Sequence, residues 1–149
     1  MTALKDPRFE IRKGLYSALN GAMIYNAVAV PIYDSEGIPE DATKPYVVIG
    51  NMTVQADNTK DRFGFDCTFQ VDVVTASYSN NATGEKAAND ISYLAQAILV
   101  PSRTGVGLSV SGFDPYVLTL ETVTKISMLT GVEQITRQIS LFRIKLFQN

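Results

Sequence analysis

The stretch Pro45–Ala76 constrains the fold more than any other part of the sequence. Tyr46–Ile49 is a short apolar run rich in β-branched residues, with a proline before it and Gly50 after it. That is the pattern of a strand buried on both faces. In Phe65–Ala76, the residues Phe65, Cys67, Phe69, Val71 and Val73 alternate with Asp66, Thr68, Gln70 and Asp72. A period of two over that length predicts a half-buried strand. Between the two lies Asn51–Gly64, a polar segment charged at Asp57, Lys60, Asp61 and Arg62. Two adjacent strands joined in this way predict an antiparallel hairpin with a long polar arm.

The flanks add helices and further strands. Asp6-Pro7 reads as a helix start, with Asp6 as N-cap and Pro7 at the first helical position. Ile11, Leu15, Ala18, Leu19 and Ala22 then recur at helical spacing. Ala27–Asp34 predicts a strand, and Pro31 within it places that strand at a sheet edge, because proline cannot donate to a ladder. A polar turn follows at Ser77–Asn81. A second helix, from about Thr83 to Val100, carries the apolar stripe Ala87, Ala88, Ile91, Leu94, Ala95, Ile98 and Leu99, and Pro101 stops it. Val106–Gly112 alternates as a short strand, and Pro115–Met128 and Gln134–Phe147 predict two long ones turning at Leu129–Glu133. In the last of these the apolar residues change parity, from Ile135 and Ile139 to Phe142, Ile144 and Leu146. Such a switch predicts a bulge near Ser140 or an end buried on both faces. The expected fold is α+β: a mostly antiparallel sheet with two helices on one face, formed by residues 1–149 as a single domain.

Composition narrows function by subtraction. At 149 residues the chain can bury a sizeable core, and 46% hydrophobic with 19% charged residues is ordinary for a globular protein. A formal charge of −2 gives no global basic character for nucleic-acid binding. Histidine is absent, which removes most catalytic triads and zinc sites. The lone Cys67 sits on an apolar strand face, where a small buried hydrophobe is expected, and it suits a reducing compartment. Ala27–Tyr33 is far short of the ~20 residues that span a bilayer. The charged N-terminal stretch has no signal-peptide core, so a soluble intracellular product is expected.

No motif for chemistry stands out. Glu40-Asp41 and the pair Asp57 and Asp61 lie in polar loops, where solvated charge is the simplest account. Gly105-Val-Gly107 lacks the third glycine, the lysine and the following helix of a phosphate loop. Tyr33, Tyr46, Tyr93 and Tyr116 are expected to be half-buried packing residues. Arg137, Arg143 and Lys145 are expected on an exposed sheet face, with Phe142 and Phe147 on the core side. No catalytic residue, metal ligand or cofactor is assigned.

The order of these segments resembles that of the tail terminator, or tail completion, proteins of long-tailed bacteriophages. The residues that carry the resemblance are Ile11-Arg-Lys-Gly-Leu15-Tyr, Val30-Pro-Ile-Tyr-Asp34, Pro45-Tyr-Val-Val-Ile-Gly50, Phe69-Gln-Val-Asp-Val-Val-Thr75, the helix with Ala87, Ile91 and Ala95, and Leu141-Phe-Arg-Ile-Lys-Leu146. The sharpest is Pro-Tyr-Val-Val-Ile-Gly; Val106–Tyr116 is longer than the family pattern. The resemblance implies a non-enzymatic virion protein made in the host bacterial cytoplasm. It would form a homohexameric ring at the head-proximal end of the tail tube, with the tail tube protein and the head–tail connector as partners. Genome DNA would pass the lumen without specific binding, and no membrane or cofactor would be involved. On this reading Gln55, Asp57, Asn58, Lys60, Asp61 and Arg62 would face a neighbouring subunit or the tube. Glu36, Glu40, Asp41 and Arg103, on loops, would face the connector. The alternatives are another head–tail connector or adaptor, and, in a different class, a small α+β ligand-binding domain or enzyme.

Overall fold

The computed structural model describes residues 3–78, 83–131 and 133–149. Helix α1 spans Arg8–Leu19. Pro7 already has helical dihedrals and accepts a hydrogen bond from the Ile11 N–H at 2.9 Å. The helix thus starts one residue later than the sequence suggests, with Pro7 rather than Asp6 at the N-cap, and Asp6 Oδ1 accepts from the Arg8 N–H at 3.0 Å from just outside it. The Arg8 side chain also bonds this carboxylate and holds its pKa below the ordinary value. Ile11, Leu15 and Leu19 form the buried face, while Ala22, expected on it, is exposed because Gly21 (φ +79°) has already turned the chain away.

The strand expected over 27–34 is broken into three pieces. β1 (Ile24–Tyr25) and β2 (Val28–Ala29) pair as a small hairpin whose turn residues Asn26 and Ala27 both have positive φ, 51° and 63°. β3 (Ile32–Asp34) begins only after Pro31, which interrupts the run for want of an N–H. The Pro31 carbonyl instead accepts from the Val47 N–H at 2.9 Å. β3 does lie at a sheet edge, parallel to β4.

β4 (Tyr46–Ala56) and β5 (Gly64–Tyr78) form the expected antiparallel hairpin. Its ladder runs to Ala56 opposite Phe65, past a bulge between Ile49 and Met52, and Met52 and Val54 pack against the core. Half of the polar segment is therefore strand, and only Asp57–Phe63 is left as a tip. Helix α2 (Thr83–Leu99) follows, with Ala88, Ile91, Ala95 and Leu99 buried. Of the polar turn expected at Ser77–Asn81, Ser77 belongs to β5 and residues 79–81 lie outside the described residues.

Val106–Gly112 is not a strand. Its alternation is real, since Leu108 and Val110 are buried, but no ladder holds it. It crosses the helices as an extended strap, with the Gly107 N–H donating to the Leu99 carbonyl at 2.8 Å. The approach is close enough that a Cβ on Gly107 would lie 2.0 Å from the Ile98 carbonyl oxygen.

β6 (Phe113–Thr130) and β7 (Glu133–Gln148) complete the sheet, in the order β3-β4-β5-β7-β6. The β5–β7 register is continuous, so no bulge explains the change of parity in β7. Even-numbered residues face the helices throughout, and the half near the turn is polar: Thr136, Gln138 and Ser140 are buried there. Under α2, the Ser92 and Ser140 hydroxyls meet at 3.0 Å and Gln96 Nε2 donates to both, at 3.2 and 3.3 Å. The other half is an apolar core centred on Phe69 and Phe142, stacked at 5.2 Å. Both helices cover this one face, as the α+β reading requires.

Candidate interaction surfaces

The tip of the β4–β5 hairpin is tied down. The Asp57 N–H donates to the Gly64 carbonyl at 2.8 Å, the Thr59 N–H to the Arg62 carbonyl at 3.0 Å, and the Gly64 N–H to Asn58 Oδ1 at 3.1 Å. The Gln148 N–H donates to the Phe63 carbonyl at 2.8 Å. The Arg62 guanidinium lies 4.7 Å above the Phe147 ring, which stacks on Tyr116. Asp57, Asn58, Lys60, Asp61 and Arg62 thus share one exposed turn. Gln55 stands beside it on the stem, opposite Asp66. Phe147 is odd-numbered and so faces away from Phe142, a correction to its expected place on the core side.

Glu36, Glu40 and Asp41 are exposed on the loop between β3 and β4. The end of that loop is anchored by Lys44 Nζ, 3.3 Å from Glu133 Oε1, at the opposite end of the sheet from the tip. Arg103 is exposed too, but on the turn that follows α2, so the structure does not gather it with the three acids. Tyr33 and Tyr46 pack edge to face at 5.7 Å as expected of half-buried tyrosines. Tyr93 does not; it is 68% exposed on the outer side of α2.

The sheet face away from the helices is open and charge-balanced. Arg143 meets Asp66 and Glu121, Arg137 meets Asp72, and Lys145 stands opposite Asp66 in the ladder. These pairings intersperse both signs of charge across the face. Nearer the Lys44 end, Ile38, Tyr46, Val48, Val74, Met128 and Ile135 line a cleft of about 510 Å³ around the Asp72–Arg137 pair. Asp72 is buried, and its Oδ1 has no hydrogen-bond partner.

Sequence reasoning missed the most exposed apolar surface. Every residue from Glu121 to Leu129 on β6 is exposed, among them Val123, Ile126, Met128 and Leu129. The signal was present: the apolar positions of this strand occupy both parities, which a strand with one buried face does not do.

Among the described residues no cluster of histidine, cysteine or carboxylates could hold a metal ion, and no helix is long and apolar enough to cross a membrane. Burial pushes the Cys67 thiol up to about 12, which keeps it protonated and inert. The fold thus defines a class: an α+β sheet protein with one covered face, one open face and two outer edges, β3 and β6. The model of the family described as tail completion protein gp17 matches residues 13–112, and the chain belongs to that family. It is accordingly a structural protein of a phage tail, a virion component. In fold it is similar to a chain from the virion of a native gene transfer agent particle, with a TM-score of 0.76 at 19% identity over 97% of this chain and 99% of that one. A second solved chain superposes at a TM-score of 0.54 with 13% identity, over 92% of this chain and 94% of the other. No curated protein matches the sequence.

Proposed function

We propose that the chain, acting as one domain, forms a homohexameric ring at the head-proximal end of the tail tube. There it stops tube growth and joins the tail to the head connector. The family match carries this reading. The likeness to a chain of a virion particle supports it in fold. So does polarity: the tip Asp57–Phe63 and the Lys44–Glu133 contact lie at opposite ends of one sheet. A tube grows because each ring offers a face complementary to the next, so a terminator must present two unlike faces. We assign Gln55, Asp57, Asn58, Lys60, Asp61 and Arg62 to the tube or neighbouring subunit, and Glu36, Glu40 and Asp41 to the connector. Arg103, on the helix side, is assigned to the rim of the connector surface. The role is non-enzymatic, and DNA passes the lumen unheld, a reading supported by Arg137 and Arg143 of the open face each being paired with a carboxylate.

The test is to add purified protein to growing tail tubes and follow their length by electron microscopy. Capping of one end only, with length frozen, is expected. Tubes that elongate at an unchanged rate would rule out termination and leave connector adaptor as the better reading. Submicromolar binding to duplex DNA at physiological salt would contradict the passive lumen.

A further inference from the structure

We propose that the open edge of β6 adds, antiparallel, to the β3–β4 edge of a second copy, so that neighbouring subunits share one continuous sheet. The inference rests on the ring reading above and names the surface that joins the ring.

The edge is unguarded where it is most regular. β6 is the outermost strand, and β7 occupies only one of its sides. Its two bulges, between Pro115 and Val117 and between Leu120 and Thr122, fall in its first half, as does its one proline. Bulges, prolines and charges are the usual devices that blunt an edge. From Thr122 to Thr130 the ladder is unbroken. The one charge there, Lys125, is drawn aside to Glu85 of α2. By register, Ile126 and Met128 lie on the open face, opposite Arg137 and Ile135, and Val123 and Leu129 on the helix face, opposite Ser140 and Gln134. A strand with exposed apolar side chains on both faces and a free row of backbone donors and acceptors has the features of a strand that takes a further neighbour.

The opposite edge of the sheet is complementary. β3 has no strand on its outer side, and the ladders place it level with the regular half of β6: Tyr33, through Val48, Asp72 and Ile139, with Thr124, and Asp34, through Ile49, Val71 and Ser140, with Val123. Direction then selects the partner. β3 and β4 run together, β5 against them, β7 with them and β6 against them. Copies standing the same way up therefore bring β6 to the β3–β4 edge in antiparallel sense. The contact is heterologous, so it repeats until a ring closes, whereas β6 pairing with β6 of a twofold mate would stop at a dimer.

The experiment uses Tyr33→Cys and Ile126→Cys in the full chain, both on the open face and near one level by register, with a short bismaleimide as cross-linker; buried Cys67 stays silent. The double variant should give a ladder of multimers ending at the ring, and each single variant should give none. Dimers from Ile126→Cys alone, or rings of the double variant that do not cross-link, overturn the inference. A second variant pair, Val123→Lys with Ile126→Lys, places charge on a surface already in solvent. It should leave circular dichroism and melting unchanged while raising the concentration needed for assembly by about tenfold or more. Undiminished assembly of that variant overturns the edge contact and leaves the ring standing. Wild-type protein that forms no ring even on tube tips overturns both.

Discussion

The two long hairpins of this sheet differ in a way that their sequences disguise. β4–β5 carries the polar connection, yet its stem is laddered to Ala56 and its tip is held by backbone bonds, by Asn58 and by Arg62 over Phe147. β6–β7 carries the apolar residues, yet the outer half of β6 is exposed at every position from Glu121 to Leu129. Polarity tells which residues tolerate water; it does not tell which strand the helices reach. The helices sit over β4, β5 and β7, whose even positions are buried from Thr136 to Gln148, and the outer half of β6 lies beyond them.

The strongest way to break that comparison is to truncate one apolar side chain in each region. Phe142→Ala removes a ring stacked in the core and should cost about 3–5 kcal/mol in urea unfolding. Leu129→Ala, 74% exposed, should stay within about 0.5 kcal/mol. Comparable losses would mean that the free half of β6 is not free. Next comes the ion pair on the open face. Arg137→Ala leaves the buried Asp72 carboxylate without its donor and should cost about 1–3 kcal/mol; adding Asp72→Asn should recover part of it, and a purely additive double variant would show that the two groups do not interact.

The hairpin turns sharpen the contrast further. A Cβ on Gly64 would lie 2.2 Å from the Asp57 carbonyl oxygen, so Gly64→Ala must distort the tip, at about 1–3 kcal/mol by chemical denaturation. Gly131, with φ +61° and open space around it, bears only the conformational cost, so Gly131→Ala should lose about 1 kcal/mol. Smallest is the β1–β2 turn. Ala27 has φ +63°, and Ala27→Gly should raise the melting temperature slightly, by up to about 1 kcal/mol of stability. A fall instead would mean that the alanine methyl makes a contact worth more than its strain.

Much of this architecture was legible in the residues. Period two in Phe65–Val73 placed five core residues correctly, and Asp6-Pro7 and Pro101 bounded the helices because they act on the local backbone. Pro31 marked an edge for the same reason. What failed was whatever depended on a distant neighbour. The strap at Val106–Gly112 alternates like a strand because Leu108 and Val110 enter the core, but pairing needs a second strand that the local sequence does not name. The parity change in β7 looked like a bulge because buried serine, threonine and glutamine do not register as core. Of the interaction surface, the charged tip was visible as charge, whereas the β6 edge is a property of sheet order.

The small hydroxyl cluster beneath α2 has a mechanical meaning. An alanine-rich helix lying on aliphatic side chains meets a surface with little corrugation, and a slide of one turn, ~5.4 Å, exchanges similar contacts for similar contacts. Ser92, Ser140 and Gln96 remove that degeneracy: only one position along the sheet keeps all three bonded, and any other strands polar atoms in oil. They act as a detent. The helix is indexed against β7, and through Lys125–Glu85 the free half of β6 is indexed to the same mark.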